Sequence, residues 1–326
     1  MRSMSCKGGS LLSTDSHYPE LMPQFDLNIL GCGSATPSTR HNPSCQVLNF
    51  RGQLIMIDCG EGAQAMMRRM HMNFSRISRI FISHMHGDHV FGLPGLLSTL
   101  DLHGKGGSVD VWMPADGVEI IRSITDYFCR ETSFTINYHA VEGDGGLLYE
   151  DHALTVHAFP LRHRVPCYGY IFREKQGPRH LRPDMAKFYG IPVCRLNDIK
   201  AGADYVREDG TVVPNERLTL PPSPAVSYAY CSDTMFTEET ARVVAGVDYL
   251  YHEATYDDSL ADKARERGHS TAREAARIAR MAGAGTLIIG HYSNRYTDVD
   301  ILVRQAREEF PEVIAADEQL TIQLSK

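Results

Sequence analysis

The sequence has no apolar run approaching the roughly 20 residues that a bilayer-spanning helix needs. Its first residues, MRSMSCKGGSLLSTDSHYPE, also lack the continuous apolar core of a secretory signal. The expectation for 1–24 is a polar lead-in to a cytoplasmic protein with no membrane segment. Cys-x-x-Cys pairs are missing as well. The cysteines (Cys6, Cys32, Cys45, Cys59, Cys129, Cys167, Cys194 and Cys231) are scattered, which fits reduced thiols better than a disulfide framework. An excess of positive charge is absent: 33 Lys and Arg against 40 Asp and Glu give a formal net charge of −7. That argues against a broad basic face, although local patches and bound ions can reverse the field over a site. No repeat at a solenoid period is visible. What remains is a 326-residue chain, 43% hydrophobic and 22% charged, long enough for one large α/β domain or two ordinary ones.

Residues 80–95, IFISHMHGDHVFGLPG, are the most informative stretch. Ile80, Phe81 and Ile82 read as a buried strand that stops at a polar cluster. There His84, His86, Asp88 and His89 fall within six residues. Imidazole nitrogen and carboxylate oxygen suit zinc and similar divalent ions. Strand alternation turns His84 and His86 to one side, so both can reach one ion. Asp88 and His89 then point from a loop after Gly87 towards a neighbouring position, close enough for a second ion, before a helix starting over 90–97. A single histidine in such a place is more commonly structural. Three histidines and an aspartate in H-x-H-x-D-H order, directly after a strand, read as ligands.

The remaining chain repeats this theme of polar residues at strand ends. Strands are expected at Phe25–Gly31, Gln53–Ile57, 109–113, 135–139, 153–159, 168–172, 225–231, 247–251, 286–289 and 319–324. Helices are expected at 63–70, 117–129, 271–283 and 299–310, the third opened by a capping box from Thr271 to Glu274. The first strand breaks into GCGSATPSTRHNPS, whose Arg40, His41 and Asn42 read most simply as solvated turn residues. Asp58 follows the Gln53–Ile57 strand, where it can cap the next helix, accept a hydrogen bond from a metal-bound histidine, or do both. His163 lies between two strands, and Asp233, Glu253 and His291 each follow or end one. Residues 173–224 are richer in proline, glycine and charge. They read as an insertion handling substrate, with a solvated linker as the plainer alternative. Polar ligands at so many strand ends can converge on one rim of an α/β sandwich. Two ions there, roughly 3.5–4 Å apart, would activate a water and clamp the attacking and leaving oxygens of a phosphoester.

The H-x-H-x-D-H cluster with a later His, Asp and His resembles the metallo-β-lactamase superfamily. More narrowly, the chain resembles the ribonuclease Z family, endonucleases that remove the 3′ trailer from precursor tRNA. The resemblance is carried by SHMHGDHVFGLPGLL, His163 before Gly169-Tyr170, Ser232-Asp233-Thr234, His252-Glu253-Ala254-Thr255, His269-Ser270-Thr271 and His291-Tyr292-Ser293-x-Arg295-Tyr296. It covers about residues 25–326. It implies a four-layer αβ/βα sandwich with a projecting arm at 173–224, and two Zn2+ per chain. One ion would sit on His84, His86 and His163, the other on Asp88, His89 and His291, with Asp233 bridging. Asp88 would also orient the attacking hydroxide. His269, oriented by Glu253, would protonate the leaving 3′ oxygen. The products would be a tRNA with a 3′-hydroxyl and a trailer with a 5′-phosphate. Substrate contacts are expected from Arg40, Asn42, Lys200, Ser293 and Arg295, in a homodimer whose arm clamps the tRNA. Two departures from the family pattern stand out. No Gly-Pro pair stands within a few residues before Ile199-Lys200-Ala201-Gly202, where VCRLND follows Ile191-Pro192, and PSTRHN lacks the lysine of P-x-K-x-R-N. The rival readings are a phosphodiesterase for small esters or cyclic nucleotides, and a non-catalytic RNA-binding module.

Overall fold

Residues 25–129 and 131–326 are described by the computed structural model; the expected lead-in over 1–24, with Cys6, lies outside the described residues. Successive side chains of a strand point to opposite faces, and here both faces are apolar. In β1 (Phe25–Gly31), β2 (Cys45–Phe50) and β3 (Gln53–Ile57), Leu27, Ile29, Leu48, Ile55 and Ile57 join one core, whereas Leu30, Val47, Leu54 and Met56 join another. In β4 (Ile77–Phe81) and β5 (Ser108–Pro114), Phe81 and Trp112 face the first core, stacked 4.6 Å apart. Ile80, Val109, Val111 and Met113 face the second. A sheet apolar on both faces must be covered on both.

The helices between these strands supply one cover. Met66 and Met67 of α1 (Ala63–Arg69), Leu93, Leu96, Leu97 and Leu100 of α3 (Leu93–Leu102) and Ile121 of α4 (Ala115–Phe128) fill the second core. The four-residue α2 (Gly87–Val90) precedes α3. With β6 (Thr135–Val141) and β18 (Thr321–Gln323), the first sheet has the order β18-β1-β2-β3-β4-β5-β6.

A second sheet covers the other face. It comprises β7 (Gly146–Glu150), β8 (Leu154–Pro160), β9 (Tyr168–Glu174), β14 (Ser227–Cys231), β15 (Tyr249–Glu253), β16 (Thr286–Gly290) and β17 (Val313–Ala315). Its order is β17-β16-β15-β14-β9-β8-β7. Tyr170, Phe172, Tyr228, Tyr230 and Tyr251 are buried in the first core. Where a tyrosine is buried its hydroxyl must find a partner: Tyr170 donates to the Ile82 carbonyl at 2.6 Å, and Tyr228 to Gln46. These bonds tie one sheet to the other. The outer side of the second sheet is covered by α8 (Glu238–Val243), α10 (Ala272–Ala282) and α11 (Asp300–Arg307). The small buried face of α10 (Ala272, Ala275, Ala276, Ala279) lets its backbone lie close, and its Thr271–Glu274 capping box is formed.

Residues between β9 and β14 fold on a core of their own. β10 (His180–Leu181) pairs with β13 (Thr219–Leu220), and β11 (Tyr205–Val206) with β12 (Val212–Val213). Helices α5 (Pro183–Phe188), α6 (Leu196–Lys200) and α7 (Asn215–Leu218) complete the segment. Ile199, Val213 and Leu218 are buried at its centre.

β3 to β6 run parallel, as do β14 to β17. Parallel strands deliver their carboxyl ends to the same rim, where α/β sheets present ligand-binding groups. No helix among the described residues is long and apolar enough to cross a membrane.

Candidate metal centre

That rim gathers the polar residues expected at strand ends. Asp58 follows β3, His84 and His86 follow β4, His163 follows β8, Asp233 follows β14 and His291 follows β16. Asp88 and His89 sit on α2, not in a loop, because the chain turns helical directly after His86. Asp58 and His291 both hold a left-handed backbone, with φ of 55° and 61°. Side chains other than glycine adopt that conformation only when the surroundings enforce it. The loops also come very close here: a Cβ on Gly60 would lie 2.6 Å from the Asp88 carbonyl, so glycine is required.

Hydrogen bonds outside the cluster fix which nitrogen of each ring faces inward. His163 Nδ1 donates to the Gly268 carbonyl at 2.7 Å, leaving Nε2 as the inward atom. His89 Nδ1 donates to Asp58 Oδ2 at 2.7 Å. Thr255 Oγ1 gives its proton to Glu253 Oε2 at 2.6 Å, so it accepts from His291 Nδ1 at 2.9 Å. Ser83 Oγ likewise donates to Asp58 and accepts from His84 Nδ1 at 3.0 Å. Four imidazoles therefore aim a free Nε2 into one space, the arrangement that outer partners impose on metal-ligating histidines.

The inward atoms fall into two sets. His84, His86, His163 and Asp233 form one, and Asp88, His89 and His291 the other, with ligand atoms in each set within 4.8 Å of one another. His84 Nε2 lies 3.0 Å and His163 Nε2 3.3 Å from His86 Nδ1. His89 Nε2 and His291 Nε2 are 3.3 Å apart. Nitrogens at 2.0–2.1 Å from a tetrahedral zinc stand about 3.4 Å from each other. Asp233 divides itself between the sets. Its Oδ2 lies 3.6 Å from His84 and 3.8 Å from His163, and its Oδ1 is 3.4 Å from His89 and 3.1 Å from His291. Asp233 Oδ1 is buried with no hydrogen-bond partner among the described residues, a costly state for a carboxylate oxygen unless a cation is its partner. The donor set fits a pair of divalent ions.

Electrostatics agree. Burial works against charge on His89, yet Asp233, Asp58 and Asp88 outweigh it and push its pKa well above the ordinary value. Burial likewise opposes the Asp233 carboxylate, but His291, His89, His84 and His269 hold its pKa well below the usual range. Three buried or half-buried carboxylates thus favour positive charge at the centre, and a metal ion would displace the His89 proton.

Asp58 accepts from Ser83 N at 2.7 Å, Tyr230 OH at 2.7 Å, Ser83 Oγ and His89. The N-cap of α1 is Gly62, with no side-chain cap. Of the two roles open to Asp58, the histidine acceptor is the one realised.

A second His–carboxylate pair stands beside the cluster. His269 Nδ1 donates to Glu253 Oε1 at 3.0 Å. Glu253 is buried and also accepts from Thr234 N, Thr255 N and Ser270 N at 3.1, 3.1 and 3.0 Å. Burial opposes its charge, but His269 leads the groups that lower its pKa. For His269, burial is overridden by Glu253 and Asp233, which raise its pKa to about 9. The stretch before it is helix α9 (Ala261–Arg267), closed by Gly268 at φ 76°.

A cleft of about 500 Å3 opens onto these groups, lined by His86, Asp88, Asp233, His269 and His291 together with Ser293 and Arg295. The other expected substrate contacts diverge. Arg40 is exposed and lines a smaller cavity of about 270 Å3 beside the cleft. Asn42 lines neither: its amide donates to the Leu30 carbonyl at 3.4 Å, because the loop folds back on β1. Lys200 lies at the end of α6, within the insertion. His41, read as a solvated turn residue, is buried, with Nδ1 2.8 Å from Glu318 Oε2. Sequence reasoning missed the parts of Thr255 and Ser83 in setting ring tautomers. Thr255 had a signal, its place two residues after Glu253; Ser83 had none.

Comparison with known proteins follows the same line. A ribonuclease Z of Bacteroides fragilis is 47% identical over 304 residues, 93% of this chain and 100% of that protein. One of Bacteroides thetaiotaomicron is 46% identical over 305 residues, 93% of this chain and 96% of its own length. The crystal structure of the short form of human tRNase Z matches with a TM-score of 0.68 at 26% identity, over 92% of this chain and 100% of that one. A metallo-β-lactamase fold protein of Bacillus subtilis matches in fold, with a TM-score of 0.66 at 17% identity, over 92% and 99% of the two chains. Residues 25–123 also match the family described as Anti-Pycsar protein Apyc1.

Proposed function

Because the chain belongs to the ribonuclease Z family, a family of metal-dependent phosphodiester hydrolases, we propose that it is a zinc endoribonuclease that cuts the 3′ trailer from precursor tRNA. The observation that carries the reading is Asp233 placed between two inward-facing ligand sets, with the His269–Glu253 pair on the same cleft. In this reading His84, His86 and His163 hold one Zn2+, and Asp88, His89 and His291 the other, with Asp233 shared. Bound there, the two ions supply a water of lowered pKa and neutralise charge on the phosphate oxygens.

The side chains do the rest. Asp88 keeps one carboxylate oxygen on the Ala35 amide at 2.6 Å, which fixes the group so that it can orient the attacking water. His269, charged through Glu253, donates a proton to the departing 3′ oxygen, which leaves poorly as an alkoxide. The tRNA keeps a 3′-hydroxyl and the trailer a 5′-phosphate. The self-contained core of 173–224 supports a substrate-binding arm, and the family resemblance supports a cytoplasmic homodimer in which one subunit's arm holds the tRNA cut by the other.

The test is incubation of metal-loaded protein with a precursor tRNA of defined trailer length, with and without chelator. Release of the trailer, abolished by chelator and restored by Zn2+, is the expected result. Hydrolysis of bis(p-nitrophenyl) phosphate with no cleavage of precursor tRNA would favour the small-ester phosphodiesterase instead.

A further inference from the structure

The metal-binding groups occupy one side of the cleft, and the opposite chemistry lines the rest. Arg164, Lys263, Arg267 and Arg295 all reach it, in a chain of net charge −7. None of them has a carboxylate at ion-pair distance among the described residues, whereas cations nearby do: Arg265 lies 3.2 Å from Asp262, and Arg273 2.7 Å from Asp258. Lys263 and Arg267 are four residues apart on α9 and so share a helix face. The Arg164 stem packs beside Gly268, where a Cβ would meet its Cγ at 3.4 Å.

Tyr256 stands among these charges. Its ring lies under the Arg295 guanidinium, 5.3 Å from centroid to Cζ, and edge-on to His269 at 6.0 Å. Its hydroxyl makes no hydrogen bond within the described residues, although the residue lines the cleft. Burial raises the Tyr256 pKa, opposed by Arg295, Arg267 and Arg164, so the phenol stays a proton donor in a field of positive charge. Unpaired like charges repel, and that cost is recovered only when an anion binds.

We infer that Tyr256, Arg164, Arg267 and Arg295, with Lys263, form a second phosphate site, which takes the RNA phosphate on the 5′ side of the scissile one. This rests on the assignment of His269 as the proton donor. The leaving 3′ oxygen must lie against His269, and the nucleotide carrying that oxygen has its own 5′-phosphate one step further along the strand. The Tyr256 group supplies donors next to His269 that no carboxylate among the described residues engages, so it meets that phosphate. A cleft of about 500 Å3 has room for both phosphates and the sugar between them. The site therefore acts on the retained end of the RNA and leaves the trailer free to depart.

Calorimetric titration of the full-length, zinc-loaded protein with adenosine 3′,5′-bisphosphate and with adenosine 3′-monophosphate tests this. The 3′-phosphate of each stands for the scissile group; only the first carries the 5′-phosphate. The bisphosphate should bind about tenfold or more tightly than the monophosphate, as charge-assisted hydrogen bonds imply. That advantage should vanish in Arg164→Gln/Arg267→Gln and shrink several-fold in Tyr256→Phe, with zinc content and melting temperature as checks that both fold. Equal binding of the two nucleotides by the parent protein would overturn the inference, as would an undiminished advantage in the double variant. Precursor tRNA cleavage measured in parallel keeps the two readings apart: a bisphosphate advantage without tRNA cleavage removes the tRNA substrate and leaves this site standing.

Discussion

Replacing Asp58 with asparagine keeps the volume of a buried side chain but turns one acceptor oxygen into a donor. Asp58 is fully buried and accepts four hydrogen bonds: Ser83 N on Oδ1, and Ser83 Oγ, His89 Nδ1 and Tyr230 OH on Oδ2. An amide cannot satisfy them all. If its oxygen takes the Oδ2 place, its NH2 group faces the Ser83 N–H and leaves that donor buried and unpaired. If it turns over, the His89 and Tyr230 donors are the ones opposed. Either choice costs about 1–3 kcal/mol of stability. The loss of charge matters separately. Asp58 orients the His89 ring and raises its basicity, and outer partners of this kind are worth about 10–100-fold in metal affinity or activity. Asp58→Asn should therefore lower zinc affinity by about that factor in a chelator competition assay, together with a lower melting temperature. Unchanged zinc affinity with reduced stability would refute the argument and leave Asp58 as a purely structural tie between the sheets.

Three further outcomes follow from the same geometry. Asp233→Ala should fail to retain two equivalents of zinc per chain by elemental analysis, since it removes a carboxylate that faces both ligand sets; full retention would exclude the bridging role. His269→Ala should keep its zinc yet lose about 10²–10⁴-fold in kcat on precursor tRNA, with a far smaller loss on bis(p-nitrophenyl) phosphate, whose leaving group needs little protonation. In Glu253→Gln, loss of the carboxylate that raises the His269 pKa to about 9 lowers that pKa. Because the acid must be protonated, activity that falls as pH rises through the His269 pKa should fall at lower pH in this variant; an unmoved alkaline limb would separate Glu253 from His269.

The sequence exposed the site more fully than the fold around it. Ligand types at fixed spacing are a local signal, and His84, His86, Asp88 and His89 carry it in six residues. The distant His163, Asp233 and His291 became legible because each follows a strand of recognisable apolar pattern. β2, β7 and β17 escaped notice for different reasons. β2 opens directly after the Pro43-Ser44 punctuation of a long loop, β7 sits among glycines at 143, 145 and 146, and β17 is only three residues long. The burial of His41 depends on Glu318, 277 positions away, and nothing within the loop announces such a partner. Arg164, Lys263 and Arg267 carry no local signal in the sequence, because only α9 and the β8–β9 connection bring them to one cleft.

The central claim is tested most directly by sequencing the ends produced when zinc-loaded protein cleaves two precursor tRNAs, one with an encoded CCA and one without. The account predicts a single cut in each RNA at the junction of tRNA and trailer, leaving a 3′-hydroxyl on the tRNA and a 5′-phosphate on the trailer. Ends carrying a 2′,3′-cyclic phosphate, or cuts spread along the RNA without regard to the tRNA body, would contradict it.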